Sequence, residues 1–456
     1  MGKAITDSAL TALEQLPSAA DSDLSHLPGH KGLPFIGDAL PFLKNTLRYM
    51  RKCHERYGDV FWTHIGPTPA LHLVDADAVK LLTLDSDRNF SAKKGYEGTL
   101  SSFFPDGLLL KDFSDHRMHR RIMQTAFKNA MLEQYMSRIH DVIRQHVQQW
   151  QGEDILFVSS MKDCLLELGS KILLGMELGQ DSDRINRGFV DMAHGCTTPF
   201  RLKIPGTTYY NAVKGYQFIS KRFLEQIPDK RQSSSTDMFS LFCKETQEDG
   251  SFFSDDDIVH HINFLLFAAH DTTTSTLSGI MYQLMQNPEW LKICSDEVLS
   301  IDKDKLNFAD LNQLTNIGYC FREVLRLCPP VVGLGRRSIH EFTFKGYRIP
   351  ANTMVSASSL LVHRDPQFYT APDTFDPLRF APGREEHKTH SFAWSPFGGG
   401  AHKCIGLHFA EMLVKVAMFE MLRGCRFQST AAAGEYTYLP FPKPVNNLPL
   451  RVSARQ

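Results

Sequence analysis

A helical spacing of apolar residues runs from 254 to 286, yet six consecutive polar residues, His270, Asp271, Thr272, Thr273, Thr274 and Ser275, interrupt it. No other feature constrains the fold as tightly. Phe264, Leu265, Leu266 and Phe267 precede the run, and Leu277, Ile280 and Met281 follow it, so it lies inside a buried helix and not at a cap. Polar groups buried without partners are expensive. Threonine hydroxyls can bond the carbonyl one turn earlier and bend the helix. That opens a small polar notch in an apolar wall. Read alone, the segment also fits a polar turn on a buried helix.

The same spacing dominates from about 114 to 328. It predicts helices near 114–128, 135–150, 157–175, 183–198, 208–227, 236–246, 288–300 and 315–328, two earlier ones at 40–57 and 75–84, and a last one at 404–422. Pro288 after Asn287 starts a new helix. Strand patterns fall at 60–64 and 70–74 around Gly66-Pro67, then at 338–344, 347–349, 353–356 and within 425–455. The fold class expected is mainly α with a small β region, assembled from segments near 60–75, 338–360 and 425–455. Residues 1–26 read as a flexible arm with one weak helix at 6–15, the turn-rich 27–38 as a rigid lead-in, and 27–456 as a single domain.

Composition narrows the class. Lys and Arg total 50 against 51 Asp and Glu, a net charge of -1, which provides no global field for nucleic acid or an anionic membrane. The longest apolar stretch, 262–269, is far short of the about 20 residues a membrane-spanning helix needs. Residues 1–26 lack the basic and apolar regions of a signal peptide. Nine cysteines, odd in number and without a CxxC, fit a reducing compartment. A monomeric cytoplasmic protein without a membrane anchor is expected.

One cysteine stands apart. Cys404 ends the run Phe397-Gly398-Gly399-Gly400-Ala401-His402-Lys403-Cys404-Ile405-Gly406, just before an apolar helix. Backbone N–H groups and the positive end of the helix dipole stabilise a thiolate there. The glycines let the backbone approach something large and flat. A structural cysteine in a glycine loop is the plainer alternative.

At these residues the chain resembles the cytochrome P-450 superfamily, whose signature FxxGxxxCxG is met at Phe397, Gly400, Cys404 and Gly406. The resemblance implies that Cys404 is the axial thiolate of a b-type heme, a ligation that favours O–O cleavage. It places Phe397, Gly398, His402 and Gly406 against the heme, with His402 at a propionate-binding position. The polar run resembles the family's I-helix pattern (A/G)Gx(D/E)T(T/S), with Ala269 where glycine is preferred. This implies that Ala268 and Thr272 border the heme, that Thr272 hydrogen-bonds dioxygen, and that Asp271 relays protons. Such proton delivery typically contributes about 10²–10⁴-fold.

Glu323 and Arg326 are three apart, which read alone is a surface ion pair. With Arg379 in Phe375-Asp376-Pro377-Leu378-Arg379-Phe380 they match the family's structural triad ExxR…PxRF. His116 and Arg120 share one helix face and fit its WxxxR site for heme propionates, and Arg336 falls where a third propionate ligand is expected. Read alone, each is a solvated basic residue. By the same match Phe103, Phe104, Leu108, Phe264, Phe267, Ala268, Val331, Val332, Leu334, Leu439 and Phe441 line a distal cavity. Nearly all are apolar, so the substrate is expected to be apolar. For any one of them a core role is the plainer reading. Arg117, Arg121, Lys128 and Lys403 form either an ordinary solvated face or, on the proximal side of a heme, a patch for an acidic ferredoxin or flavodoxin.

The resemblance implies the α-rich heme-thiolate fold, with a long I-helix and the cysteine loop before the L-helix. The reaction implied puts one atom of O2 into a large lipophilic substrate of terpenoid, sterol or fatty-acid type. Electrons come from NAD(P)H through a ferredoxin/reductase pair. The loop and lead-in look most like the sterol- and retinoid-type branches. A peroxygenase or hydroperoxide isomerase is the nearest alternative, disfavoured by Asp271 and Thr272. A non-catalytic heme or lipid binder has no need of the polar notch, and a heme-free scaffold leaves the Cys404 loop unexplained.

Overall fold

The computed structural model describes residues 22–65, 68–176, 180–198, 201–247 and 250–455. The expected helix at 6–15 and the turn at Gly66-Pro67 lie outside them. From Ser22 the chain is anchored: Leu24 and Leu27 are buried under the main sheet, so the packed body begins a few residues before 27.

The central helix, Asp255–Gln286, starts where Ser254 accepts a hydrogen bond from the Asp257 N–H. Asp255, Asp256 and Asp257 in its first turn suit the positive end of the helix dipole. It ends at Asn287, and Pro288 opens the next helix, Pro288–Leu299. Around it pack Phe157–Ile172, Thr208–Gln232, Thr315–Leu327 and the cysteine-loop helix Leu407–Gly424. Asn129–Trp150 lies against Leu407–Gly424. Most of these helices match the sequence spacing. The 40–57 segment is two helices, Ala39–Lys44 and Thr46–Tyr57, parted at Asn45, whose side chain caps the second. Phe113–Met123 gives way to a tighter turn at Gln124–Phe127 instead of running on to 128. Thr208–Gln232 continues through Pro228, its last turn held by Lys230 on the Leu174 carbonyl and Arg231 on Asp255.

Among the described residues the main sheet has six strands in the order Gly29–His30, Val60–His64, Pro69–Leu73, Met354–Ala357, Leu334–Ser338, Phe90–Ser91. The predicted strand at 338–344 is in fact two, Leu334–Ser338 and Phe342–Phe344. The C-terminal strands do not join this sheet. Cys425–Ser429 and Pro449–Ala454 form a separate one with Asp154–Leu156. A helix that the spacing did not show, Ala92–Leu100, presses on Leu334–Ser338. A Cβ on its Gly95 would meet the Arg336 Cα at 2.8 Å, so glycine is what lets helix and strand touch.

Candidate functional site

From His261 to Met281 the central helix is buried except at Phe264, Phe267, Ala268, Ala269 and Thr272. Phe264, Ala268 and Thr272 recur every four residues and share one face. The threonines bond back as the pattern predicts: Thr272 Oγ1 donates to the Ala268 carbonyl at 2.7 Å and Thr276 Oγ1 to the Thr272 carbonyl at 2.9 Å. These hydroxyls are satisfied within the helix, whereas Ser275 Oγ donates to the Pro442 carbonyl at 2.6 Å and His270 Nε2 lies 3.2 Å from the Lys162 carbonyl. Ala269 turns to one side, where it lines an apolar cavity of about 30 Å³ with Phe189, Leu266 and Leu413.

An aromatic wall continues the open stripe. Phe104 lies 4.7 Å from Phe267 and 6.1 Å from Phe264, ring to ring, and Phe441 meets Phe267 edge-on at 6.1 Å. A Cβ at Gly107 would sit 2.8 Å from the Phe264 side chain, so glycine brings the loop against the helix. Phe103, Phe104 and Leu108 are all buried in the core, Phe103 on Tyr209, so Phe104 supports the wall from behind Phe264 and Phe267. Val332 packs with Leu327, Leu360 and Tyr438, whereas Val331 is 41% exposed. Leu334 lies beside Gly398, and Leu439 is half-buried ahead of Pro440.

Asp271 is turned into an ion-pair cluster. Lys162 Nζ lies 2.9 Å and His270 Nδ1 3.5 Å from its Oδ1. Burial works to raise its pKa, but His270 and Lys162 outweigh it and hold the carboxyl at about 2. No sequence pattern pointed to Lys162, which comes from another helix.

Cys404 donates its backbone N–H to the Phe397 carbonyl at 2.9 Å and precedes the helix by three residues. Among the described residues it is the one exposed cysteine, the others being buried. The residue is exposed, yet protein surrounds its thiol closely enough for burial to be the largest influence on it. Burial pushes its thiol up, while the Gly406 N–H, Arg120 and Lys403 pull it down. The expected thiolate-stabilising groups are present, but they lose to burial; a cation at Sγ reverses that balance. Two of the loop glycines serve protein contacts. A Cβ at Gly400 would lie 1.9 Å from the Thr83 carbonyl oxygen, and one at Gly399 2.7 Å from the Phe392 ring. Gly398, with φ 66°, faces open space, its nearest neighbour Leu334 at 4.0 Å.

Beside the cysteine lies a group of cationic and imidazole side chains. His116 and His402 stack at 3.9 Å. Arg336 is 4% exposed, and its guanidinium bonds the Gly335 carbonyl at 2.8 Å. Among the described residues neither Arg336 nor Arg120 makes an ion pair. Burial first, then Arg120 and Arg336, depress His116 to about 4, and the same groups hold His402 well below its ordinary value. Such a convergence fits an anion with several oxygens. Asp112 lies 4.0 Å from His402, and it and Asp85 attract Arg336 from a distance, but no carboxylate among the described residues is in ion-pair contact with Arg120 or Arg336. A thiol beside two such guanidinium groups matches a metal-centred ring bearing carboxylates, so these residues fit a heme.

Glu323, Arg326 and Arg379 are fully buried. Arg326 grips Glu323 in bidentate fashion at 2.7 and 2.8 Å, and Arg379 Nε donates to Glu323 Oε1 at 3.1 Å. The remaining N–H groups bond the carbonyls of His363, Thr370, Ala371, Pro372 and Thr374, and Glu386. This is a structural lock, not a surface pair. Arg117, Arg121, Lys128 and Lys403 are all exposed. Among the described residues no helix is long and apolar enough to cross a membrane.

A putative cytochrome P450 136 of Mycobacterium tuberculosis is 31% identical over 442 residues, 95% of this chain and 90% of that protein. The beta-amyrin 28-monooxygenase of Solanum lycopersicum is 26% identical, covering 93% of this chain and 92% of its own. Cytochrome P450 26A1 of Danio rerio is also 26% identical, over 94% and 90%. A solved structure of a cyanobacterial CYP120A1 with retinoic acid bound shares the fold, with TM-score 0.87 and 24% identity over 94% of this chain and 99% of that one. The family model for cytochrome P450 matches residues 27–437, so the chain belongs to the cytochrome P450 family and is a monooxygenase of that class.

Proposed function

We propose that Cys404 is the thiolate ligand of this monooxygenase's heme and that the Phe104–Phe264–Phe267–Phe441 wall receives a large lipophilic substrate. The observation that carries the reading is the juxtaposition of Cys404, the one exposed cysteine among the described residues, with Arg120 and Arg336, neither of which makes an ion pair among those residues. His116, Arg120, Arg336 and His402 would hold the heme carboxylates, with Phe397, Gly398 and Gly406 bordering the ring. When bound, the heme supplies dioxygen activation.

The chain's own residues do the rest. The aromatic wall excludes water and orients an apolar substrate along the face of Phe264, Ala268 and Thr272. Thr272 Oγ1 keeps its proton on the Ala268 carbonyl and can redirect it into the notch. Asp271 is ionised at neutral pH and, with its carboxyl held at about 2, is a weak proton acceptor while bound; it must leave Lys162 to take up a proton and pass it on. Glu323, Arg326 and Arg379 hold the chain behind the cysteine loop. The exposed Arg117, Arg121, Lys128 and Lys403 form the docking face for a ferredoxin- or flavodoxin-type donor fed by NAD(P)H. Terpenoid, sterol or fatty-acid-like substrates suit the wall. The retinoic acid in the cyanobacterial structure and the amyrin in the tomato enzyme's name support that class.

The test is the spectrum of the reduced protein with carbon monoxide. A strongly red-shifted Soret band, lost in Cys404→Ser, is expected. An unshifted band in the wild type, or no change on substitution, overturns the assignment.

A further inference from the structure

His119 and His261 meet in the interior, with His119 Nδ1 2.7 Å from His261 Nε2. One belongs to Phe113–Met123 and the other to the start of the central helix, and they are 3% and 1% exposed. Asp257, one turn before His261, brings a carboxylate to the same point. The ligating atoms of His119, Asp257 and His261 all lie within 4.8 Å of one another. The oxygen chemistry above uses none of these residues. We propose that they form a binding site for a divalent cation of the zinc class, separate from the heme.

Each ligand is oriented for the task. His119 Nε2 lies 3.1 Å from the Asp115 carboxylate, which fixes the proton on that nitrogen and leaves Nδ1 bare. A carboxylate behind an imidazole is the usual second partner of a metal-binding histidine. Asp257 Oδ2 accepts the Ser254 hydroxyl at 2.6 Å, which sets the carboxylate's direction. Toward the His119 Nδ1, His261 presents its Nε2. Its Nδ1 has no hydrogen-bond partner among the described residues. Phe253 stacks flat on His119 at 4.9 Å and tilts over His261 at 5.7 Å, closing the place with an apolar lid.

Two imidazoles and one carboxylate are a zinc-type set, with water in the fourth position. Tetrahedral ligand atoms at metal distances of about 2.0–2.2 Å stand about 3.3 Å apart, so the histidine pair opens by roughly half an ångström. Lys111 is the competitor. Its ammonium is 3.4 Å from Asp115 and 3.7 Å from Asp257, where it balances both acids and repels a second cation. A bound metal would tie the helix bearing His116 and Arg120 to the start of the central helix.

The experiment uses the full-length, heme-loaded protein without a histidine tag, stripped by chelator and dialysed against buffered zinc. Zinc per chain is counted by elemental analysis. The wild type is expected to hold about one zinc, with affinity falling about 10–100-fold in Asp115→Asn and further in Asp257→Asn. Lys111→Met is expected to bind tighter, which a merely structural histidine pair does not foresee. His261→Gln abolishes binding; because His261 is fully buried, the half-exposed Asp115 and Asp257 keep the test decisive if that variant does not fold. Absence of zinc from the wild type, or occupancy unchanged across Asp115→Asn, Asp257→Asn and Lys111→Met, overturns the site.

Discussion

Lys162 holds the Asp271 carboxylate at 2.9 Å, so the acid of the proposed oxygen notch is tied to a helix other than its own. The pairing has a signed pH consequence. With the carboxyl lowered from 3.8 to about 2, its contribution is complete above the ordinary carboxylate range and is lost as pH falls through about 4 toward 2. The shift corresponds to about 2 kcal/mol. His270 supplies the larger share of that lowering, so Lys162→Met is expected to lose only part of it, less than about 2 kcal/mol, in urea unfolding at neutral pH. The gap from wild type should narrow at acid pH; a constant gap contradicts the pairing.

The two left-handed glycines of the cysteine loop differ in what surrounds them. Gly400→Ala drives a methyl onto the Thr83 carbonyl, whereas Gly398→Ala meets open space and only the positive φ opposes it. Gly398→Ala is expected to cost about 1–2 kcal/mol and to fold. Gly400→Ala adds a backbone clash and is expected to cost several times more. Thermal unfolding of the two variants, compared side by side, checks the order.

Glu323→Gln leaves two buried guanidinium groups short of the carboxylate they share. Breaking a buried pair this way costs about 3–5 kcal/mol. Expression yield and heme content should fall together. Normal stability would mean that Glu386 and the surrounding carbonyls suffice.

Thr272→Val keeps the β-branched shape and removes the hydroxyl that now bonds the Ala268 carbonyl. If that hydroxyl delivers protons, product formation is expected to drop on the order of 10²-fold with stability nearly unchanged. Turnover with a ferredoxin/reductase pair, read beside unfolding midpoints, separates the two effects.

Features carried by local chemistry were legible before the structure. The Thr272 back-bond, the helix boundary at Pro288 and the position of Cys404 just before a helix depend on residues a few positions apart, and the structure has all three. Features made by distant partners were not. Nothing near Asp271 announces Lys162, and nothing near Glu323 shows that its arginines finish on the carbonyls of 363–374. Ala92–Leu100 escaped because Gly95 and Gly98 lower helix propensity; contact with the Arg336 strand stabilises it. Phe103 and Phe104 are both fully buried, and apolar spacing cannot tell a pocket wall from the core behind it.

The small sheet formed by Asp154–Leu156 and Pro449–Ala454 has a consequence in time. Arg451 reaches Asp154 across 297 residues of chain. At roughly 5–20 residues per second of synthesis, the Asp154 strand waits on the order of 15–60 s for its partner. Throughout that interval its edge is open to other chains, so the nascent protein should depend on chaperones most while residues 157–448 are being made.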